Sequence, residues 1–491
     1  MSTQTDVLIV GGGVSGLSVA WWLAQTGLPV EVWEADARPG GKIESHRQDG
    51  YLTERAASLL VNHRPEVVQL VRQTGLENSK VLRGPLARSR RYLLHQGELV
   101  PLPMRLGALV RSPLWTWRGK LRLLAEPFIP AGHREDESVS EFITRRLGRE
   151  MLDQAMEPFV AGTLAADPDR ACAASTLPRL TALERRYGSL TAGVLAHKLL
   201  RRRTACAAET FSFDGGMGAL VDTLARAPDV YVRPRHKIIA LEPDTAGWRV
   251  TADTPFGART VCARQVVLTT PAPATAKLLA PLDAEIAELL HGIAYAPIML
   301  AHLGFDRAAV GHALDGAGFL TPRSEAPVLT GNLWMSTLFP GRAPAGKVLL
   351  TAYLGGARAP QVANWNEQRV IDEALGALRR LLGIKADPEM VRVDAHREAL
   401  PLYYGAYQAR MTALAARLQG LPGLHLEGSY RGGVSVRDRI ACGRAVAKRI
   451  IQQLCCTPPE QTTQGAAGCG IRVFADCPSL RAGARHDVIS I

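Results

Sequence analysis

The chain has 491 residues, 47% of them hydrophobic, and carries a formal net charge of +12 at pH 7. This length and apolar content predict two or three folded domains with a large buried core, and the eight cysteines lack the CxxC spacing of a zinc site and do not suggest a disulfide framework. No recognition helix, zinc-ligand spacing or aromatic sheet motif accompanies the positive charge, so we expect neither a nucleic-acid partner nor a metal site.

The first predicted element is a strand, turn, helix and strand of the kind that binds a dinucleotide. An apolar strand, 6–10, runs into the glycine turn 11–16, and a second apolar strand, 30–33, ends at Glu34. The glycines permit a tight turn, close approach of the backbone to a pyrophosphate and close helix packing, while the helix N-terminus attracts the anion. The alternative is a glycine turn that binds no ligand. The helix, the second strand and Glu34 at the expected spacing argue against this alternative. The predicted contacts are Gly11, Gly12, Gly13, Val14, Ser15 and Gly16 with the pyrophosphate, and Glu34 with the adenosine ribose; Ala35, next to Glu34, is a further predicted cofactor contact.

A second glycine pair in the segment 37–45, and a short extended stretch with an acid in 50–54, follow this ribose acid almost at once. A nicotinamide dehydrogenase would continue with another crossover, whereas a second glycine turn suits a longer cofactor that lies extended through the protein. FAD is therefore the favoured cofactor. The arrangement resembles the flavin amine oxidase superfamily.

The stretch 83–122 concentrates positive charge, with the single acid Glu98 among many arginines. Apolar side chains alternate with these cations, which favours an anionic membrane surface as partner, with shallow insertion of Trp115 and Trp117. A solvated basic face over an ordinary core is the alternative. No apolar run is long enough to span a bilayer and no signal peptide precedes the first strand, so we expect a cytoplasmic protein attached peripherally to the inner face of a membrane.

Periodicity predicts the remaining organisation. An amphipathic helix that starts near Ser138 is predicted within 135–156, and strand patterns return at 230–269 and at 424–428. The predicted class is α/β: an FAD-binding, Rossmann-like domain interleaved with a mixed-sheet substrate domain and an α-helical membrane-binding domain. The predicted boundaries are 1–82, 205–290 and 396–454 for the flavin domain, 83–204 for the helical membrane-binding and substrate-entry domain, 291–395 for the substrate domain, and 455–491 for a poorly ordered tail.

Motifs in the middle of the chain narrow the resemblance to one branch of this superfamily. Segments 138–148, 157–168 and 178–189 are similar to the protoporphyrinogen and coproporphyrinogen oxidases, and segments 213–217 and 430–443 continue the similarity. The resemblance implies an FAD-dependent oxidase of haem biosynthesis that converts protoporphyrinogen IX or coproporphyrinogen III to the porphyrin with O2 as electron acceptor. The choice between the two substrates stays open, as does a homodimer or a neighbouring haem-pathway enzyme as partner.

The resemblance also implies site residues, with no catalytic side chain because the flavin carries the chemistry. Arg91 would pair with a substrate propionate through its guanidinium fork, and Gly162 would line the substrate site. As an alternative, Arg91 is one more cation of the basic stretch. The further implied cofactor contacts are Gly41 and Lys42 near the ribityl chain, Ala56, Ala57 and Ser58 near the isoalloxazine, Ile238 at the adenine, and Val434, Ser435 and Val436 where the final helix begins. The last three residues also suit a plain helix cap.

Three departures from the family pattern bear on the substrate. Residues 55–57 differ from the usual Glu-Gly-Pro, Ala166 replaces a glycine, and Leu402 and Tyr407 replace glutamine and histidine. We expect Ala166 to restrict the backbone and to add a methyl beside the substrate cavity. A flavin oxidase or desaturase of a carotenoid or amine is therefore an alternative, as is a non-catalytic lipid carrier on the same scaffold. The intact glycine turn and Glu34 argue against the carrier.

Overall fold

The computed structural model describes residues 3–103, 106–132, 134, 136–199 and 209–456. The tail predicted at 455–491 lies outside these residues except for its first two positions. The strands are β1 (Thr3–Val10), β2 (Val30–Trp33), β3 (Ser45–Gln48), β4 (Tyr51–Glu54), β5 (Leu60–Asn62), β6 (Lys80–Leu82), β7 (Tyr92–His95), β8 (Glu98–Pro101), β9 (Glu209–Phe213), β10 (Val230–Arg233), β11 (Lys237–Asp244), β12 (Gly247–Asp253), β13 (Arg259–Leu268), β14 (Tyr295–Asp306), β15 (Gly318–Leu320), β16 (Leu329–Trp334), β17 (Lys347–Gly355), β18 (Met390–Pro401) and β19 (Leu424–Leu426). The α-helices are α1 (Val14–Ala24), α2 (Pro65–Gln73), α3 (Pro85–Ser89), α4 (Leu106–Arg111), α5 (Trp117–Leu124), α6 (Val139–Leu147), α7 (Arg149–Met151), α8 (Glu157–Leu164), α9 (Ala173–Thr176), α10 (Pro178–Tyr187), α11 (Leu190–Leu199), α12 (Gly218–Ala225), α13 (Ala272–Leu279), α14 (Ala284–His291), α15 (Met335–Leu338), α16 (Glu367–Leu382), α17 (Tyr407–Leu418) and α18 (Val436–Cys456).

Three separated parts of the chain build the first sheet, in the order β10-β2-β1-β13-β12-β11 with β19 paired to β13. Strands β10, β2, β1, β13 and β19 are parallel, and β12 and β11 form an antiparallel edge. The apolar run of β1 is buried on both faces, since Val7 and Ile9 belong to one core cluster and Leu8 and Val10 to another. The predicted Rossmann-like sheet is confirmed.

The second sheet has the order β18-β14-β17-β16-β15-β7-β8, and its neighbours are antiparallel except for β15 and β7. Helix α16 packs on this sheet through Val370 and Leu378, which are buried at helical spacing. The predicted mixed sheet is present, with one correction. The hairpin of β7 and β8 comes from the segment 83–204 that was predicted to be helical, and it joins the sheet because Tyr92 and Leu94 are buried in the core beneath it.

Helices α4 to α11 follow one another between β8 and β9. The predicted helix start at Ser138 is confirmed by a capping box: the Ser138 hydroxyl accepts the Glu141 N–H over 3.1 Å, and the Glu141 carboxylate accepts the Ser138 N–H over 2.8 Å. The single helix predicted to reach residue 156 is instead broken at Gly148. Its φ of +95° ends α6, because no right-handed helix passes through that conformation.

The two tryptophans expected to insert into a membrane have opposite environments. Trp117, at the start of α5, is 65% exposed, whereas Trp115 is only 6% exposed and packs with Leu93 and Leu114 in a core cluster. The expected insertion of Trp115 is therefore wrong, because its indole already fills the protein interior. Within the described ranges, no helix has both the length and the apolar character needed to cross a bilayer.

Close packing of α1 against α18 joins the first and last parts of the chain. A side chain at Gly443 of α18 would place its Cβ 2.9 Å from the Cβ of Ser18 and 3.1 Å from the backbone nitrogen of Val19. Beside this contact, Trp22 donates its indole N–H to the Ile440 carbonyl oxygen over 3.1 Å. Glycine at position 443 therefore lets the two helix backbones approach closely.

We expect Gly443→Ala to lower the melting temperature, because the added methyl must push α1 and α18 apart at a cost of about 1–3 kcal/mol. Gly376→Ala in α16 is the matched control, since its Cβ would meet nothing within 4 Å among the described residues. Replacing that exposed helical glycine should stabilise the protein by roughly 0.5–1 kcal/mol. Thermal unfolding compares the two variants, and equal stability would contradict the tight contact at Gly443.

Candidate active site

The turn between β1 and α1 forms a cradle that side chains would fill. Gly11 has a φ of +103° and donates its N–H to the carbonyl oxygen of the last residue of β2 over 2.8 Å. A Cβ on Gly16 would lie 2.0 Å from the Gly11 carbonyl oxygen, whereas one on Gly13 would meet nothing within 4 Å in the described ranges. The first turn of α1, with Val14 and Ser15, has no acidic residue and no side-chain cap at its start, so its N–H groups stay available to an anion. The turn fits a pyrophosphate.

Glu34 lies directly beside this turn, as the spacing predicts. The residue is 8% exposed, and its carboxylate accepts the Gly12 N–H over 2.6 Å and a second backbone N–H, two residues on, over 2.9 Å. The Glu34 carbonyl oxygen accepts the His236 N–H over 2.8 Å, which brings the predicted adenine contact Ile238, at the start of β11, to the same end of the sheet. The predicted ribose acid, with Ala35 after it, and the predicted adenine contact are thus neighbours.

The second glycine turn stacks on the first. Gly40 donates its N–H to the Gly12 carbonyl oxygen over 2.7 Å and forms a parallel bridge with Gly13. Gly41 has a φ of +56°, and a Cβ there would lie 3.3 Å from the Gly13 Cα. The two turns therefore make one continuous glycine surface, which suits a cofactor that extends past the pyrophosphate.

Two contacts tie this surface to the second sheet. The ammonium of Lys42 donates to the Ala399 carbonyl oxygen over 2.7 Å and to the carbonyl before it, and burial lowers the pKa of Lys42 to about 8. The Ser58 hydroxyl lies 3.1 Å from the Tyr353 hydroxyl, and burial raises the pKa of Tyr353 to about 12. The predicted contacts 56–57 precede Ser58 in the same loop. The segments predicted to hold the ribityl chain and the isoalloxazine therefore lie where the two sheets meet.

The segment of Val434, Ser435 and Val436 leads into α18. Gly433, with a φ of +110°, turns the chain toward the helix, and a Cβ there would lie 2.6 Å from a carboxylate oxygen of Asp438. The Ser435 carbonyl oxygen accepts the Asp438 N–H over 3.0 Å, and the Ser435 hydroxyl donates to the Asp438 carboxylate over 2.5 Å. Ser435 therefore anchors the first turn of the helix, and the flavin contact of this segment stays a prediction.

Arg90 and Arg91 differ in whether a carboxylate of the protein neutralises their charge. Arg90 forms an ion pair with Asp315 over 2.6 Å, whereas Arg91 is exposed and has no ion pair within the part of the chain that the structure describes. The pKa of Arg83 is lowered by burial first and then by the positive charges of Arg91 and Arg88, and its Nε is buried with no hydrogen-bond partner among the described residues. We refer to Arg83, Arg88 and Arg91 as the Arg91 cluster. It presents positive charge without a carboxylate partner.

Gly162 packs directly on the second sheet. A Cβ at this position of α8 would lie 2.4 Å from the Cδ2 of Leu320 and 3.2 Å from the Thr330 carbonyl oxygen. The lack of a side chain thus lets α8 sit against β15 and β16, and a contact of Gly162 with substrate stays a prediction.

The backbone constraint expected at Ala166 falls on its neighbour instead. Ala165 has a φ of +54° where α8 ends, a conformation that costs a residue with a Cβ free energy, while Ala166 has no such constraint and is 5% exposed in a hydrophobic cluster. Leu402 is buried in the same cluster. Tyr407 donates its hydroxyl to the Tyr430 carbonyl oxygen over 2.7 Å. These departures are thus accommodated by packing and a backbone hydrogen bond.

A buried ion pair that the sequence does not predict joins the end of the last strand to the last helix. The Glu427 carboxylate accepts a hydrogen bond of 2.5 Å from Arg439, and burial raises the pKa of Glu427 to about 7. Arg439 also donates to the Gly428 carbonyl oxygen. No motif marks this pair, and the sequence signal is only the presence of a charged residue beside the buried residues Leu426 and Ile440.

Comparison with known proteins shows the family of this chain. Residues 14–451 match the family described as flavin containing amine oxidoreductase. The chain belongs to this family. It is 31% identical over 479 residues to protoporphyrinogen oxidase 2, chloroplastic/mitochondrial, of Arabidopsis thaliana, a match that covers 91% of this chain and 94% of the relative. It is 28% identical to the coproporphyrinogen III oxidase of Bacillus subtilis (strain 168), covering 92% and 99%.

Solved structures show the same fold at low identity. A candidate protoporphyrinogen oxidase from Exiguobacterium sp. 255-15 aligns with a TM-score of 0.78 at 22% identity, covering 92% of this chain and all (100%) of that one. Cyclohexylamine oxidase from Brevibacterium oxydans IH-35A aligns with a TM-score of 0.65 at 16% identity, covering 92% and 99%. The family and the glycine cradle agree on the cofactor: the protein is an FAD-dependent oxidoreductase.

We expect Glu34→Ala to weaken FAD binding by about 1–3 kcal/mol, because it removes the acceptor for the ribose diol and leaves the Gly12 N–H without its partner. Glu31→Ala is the matched control on the same strand, since that carboxylate pairs with Arg259 over 2.9 Å instead of facing the glycine turn. Titration of the flavin-free proteins with FAD, followed by flavin fluorescence, measures both dissociation constants. Equal affinities of the two variants would contradict the role of Glu34.

Proposed function

We propose that the protein is a porphyrinogen oxidase of haem biosynthesis, which oxidises protoporphyrinogen IX or coproporphyrinogen III to the porphyrin with O2 as acceptor. Relatives named for these activities align with nine-tenths of the chain, and this supports the reaction. The observation that carries the substrate class is the Arg91 cluster, because positive charge without a carboxylate partner among the described residues suits the propionates of a porphyrinogen.

FAD, when bound, accepts a hydride from a saturated carbon of the substrate. The residues of the chain supply position and charge. The two glycine turns and Glu34 would hold the cofactor, and the contact of Ser58 with Tyr353 links the loop predicted to contact the isoalloxazine to the second sheet. The first turn of α18 directs the positive end of its dipole toward the segment of Ser435, which favours negative charge there. No protein acid or base is required for this reaction.

Arg91 is the proposed propionate anchor. It precedes β7, a strand of the second sheet, and its carbonyl oxygen accepts the Leu102 N–H over 2.7 Å, so its backbone is fixed. Its side chain has no carboxylate partner in the described ranges, whereas Arg90 is already paired with Asp315. A substrate carboxylate that meets Arg91 therefore displaces no protein ion pair.

We expect Arg91→Ala to raise the KM for a porphyrinogen roughly tenfold to a hundredfold, which corresponds to the loss of a charged hydrogen bond. Arg90→Ala is the control and should leave KM nearly unchanged, because Arg90 is neutralised by Asp315. The flavin spectrum should be the same in both variants. Steady-state kinetics measures the effect, and equal behaviour of the two variants would remove Arg91 as the anchor.

The reaction itself is tested with the wild-type flavoprotein under air. Each porphyrinogen is supplied in turn, and porphyrin fluorescence and hydrogen peroxide are followed together. Formation of both products supports the proposal. If neither porphyrinogen is oxidised by protein that holds FAD, the proposal fails, and an amine or carotenoid substrate becomes the better hypothesis.

The same protein is proposed to attach peripherally to the inner face of a membrane. An exposed apolar row runs along α5 and just past its end, with its members four, three and four residues apart on one side. Arg118 is exposed beside this row, so a cation accompanies the apolar surface. We refer to the row as the α5 stripe, and it consists of Trp117, Leu121, Leu124 and Phe128.

We expect the double substitution Trp117→Ser with Leu121→Ser to reduce binding to anionic vesicles at least roughly tenfold, because the apolar contact with the bilayer is lost. Phe256→Ser is the matched control, since Phe256 is an exposed aromatic residue in the turn between β12 and β13, away from the α5 stripe. Vesicle sedimentation at low and high salt measures binding. Vesicle binding that is unaffected by the double substitution would rule out the α5 stripe as the membrane contact.

A further inference from the structure

A second group of cations lies where the loop after β5, the start of α10 and the first turn of α18 meet. The Arg179 cluster, as we name it, comprises His63, Arg64, Arg179, Arg437 and Asp438. It contains three guanidinium groups and one carboxylate. Neither the comparisons nor the sequence motifs assign it a role.

Asp438 neutralises only one of the three arginines well. Arg64 donates to the Asp438 carboxylate from Nε over 3.1 Å and from Nη2 over 2.8 Å. Arg437 lies farther away, with its Nε 3.9 Å from the same carboxylate oxygen, and that Nε is buried with no hydrogen-bond partner among the described residues. Its Nη1 donates to the Val61 carbonyl oxygen over 3.0 Å. The charge of Arg437 is thus only partly compensated.

Arg179 has an even poorer partner. Its Nη2 contacts both ring nitrogens of His63, with Nδ1 at 3.3 Å, and it has no ion pair in the described part of the chain. Burial lowers the pKa of His63 to about 4, and the charges of Arg179, Arg437 and Arg64 act in the same direction. The imidazole is therefore neutral at pH 7 and serves as a hydrogen-bond acceptor. An excess of about two positive charges remains, which favours a bound anion.

The two cation groups follow the two outer strands of one small sheet. Strands β5 and β6 both pair antiparallel with β9, and Leu60, Phe211 and Leu82 lie opposite one another across the three strands. Strands β5 and β6 therefore run parallel on either side of β9, about 10 Å apart, and β5 ends two residues beyond the level at which β6 ends. His63 follows the end of β5, and Arg83 of the Arg91 cluster follows the end of β6.

We propose that the Arg179 cluster binds further carboxylates of the substrate, on the side of the macrocycle away from Arg91, and that coproporphyrinogen III is therefore the preferred substrate. This inference rests on the proposed function. Coproporphyrinogen III carries a propionate on every pyrrole ring, whereas protoporphyrinogen IX replaces half of them with vinyl groups. A vinyl group beside Arg179 and Arg437 would give neither guanidinium a carboxylate partner, which a site built for carboxylates disfavours.

The test compares the holoenzyme with its Arg179→Gln and Arg437→Gln variants on both porphyrinogens. We expect each variant to raise the KM for coproporphyrinogen III roughly tenfold to a hundredfold and to change that for protoporphyrinogen IX less than about threefold. Arg185→Gln, an exposed arginine on the same helix α10, is the control and should change neither. Arg179→Lys keeps the charge and should restore most of the preference.

A second readout is independent of turnover: absorption titration of the oxidised holoenzyme with coproporphyrin III and with protoporphyrin IX. Arg179→Gln should weaken binding of coproporphyrin III alone, with the flavin spectrum and melting temperature unchanged. Equal losses on both porphyrins, or no loss on either, overturn the inference. If the wild type oxidises neither porphyrinogen but binds coproporphyrin III through Arg179, the proposed function fails and the carboxylate site stands. If the wild type oxidises neither porphyrinogen and binds neither porphyrin, both fail.

Discussion

A buried ion pair between Glu54 and Arg342 connects the cofactor region with the second sheet. Both side chains are 1% exposed, and their charged atoms are 2.7 Å apart. Glu54 ends β4, just before the loop predicted to contact the isoalloxazine, whereas Arg342 lies in the connection between β16 and β17. The Glu54 carboxylate also accepts the Ser45 hydroxyl over 2.6 Å and the Met217 N–H over 2.9 Å. Removing one member of such a pair typically costs about 3–5 kcal/mol, because the other charge stays buried and unpaired.

The same pair fixes the small sheet that positions the two cation clusters. Arg342 donates to the Ser212 hydroxyl of β9 over 2.5 Å, and its carbonyl oxygen accepts the Leu52 N–H over 3.0 Å. Strand β9 lies between β5 and β6, whose ends lead into the Arg179 cluster and the Arg91 cluster. Elsewhere, buried arginines have their carboxylates, as Arg358 has Glu157 over 3.1 Å. Arg91 and Arg179, beside the small sheet, have no such carboxylate within the described residues.

The sequence was sufficient to predict the parts of the structure that depend on neighbouring residues. The glycine turn, Glu34 and the helix start at Ser138 follow local rules of backbone conformation and hydrogen bonding, and each lies where its spacing predicts. It was insufficient to predict contacts between residues that are more than a hundred positions apart. Tyr353 reaches Ser58, and Arg179 reaches His63, only because the sheets and helices bring them together. A contact of this kind leaves no periodic or spaced pattern in the sequence.

The tryptophans of the basic stretch show a further limit. Trp115 and Trp117 are separated by a single residue, yet only Trp117 starts a helix whose apolar side faces outward. Composition predicts that such a stretch has an apolar surface, but the boundary of α5 decides which side chain is on it. Likewise, the hairpin of β7 and β8 was hidden among basic and apolar residues, because its strands are short and their partner β15 comes from a distant segment.

The contact between α1 and α18 has a consequence for biosynthesis. Gly443 leaves the ribosome about 420 residues after Val19, which at about 5–20 residues per second means a delay of roughly 20–85 s. Strand β1 is likewise synthesised well before β13, its parallel neighbour in the sheet. During this interval the apolar surfaces of α1 and β1 lack their final partners and are open to aggregation, and the nucleotide-binding domain is completed only after α18 has been synthesised.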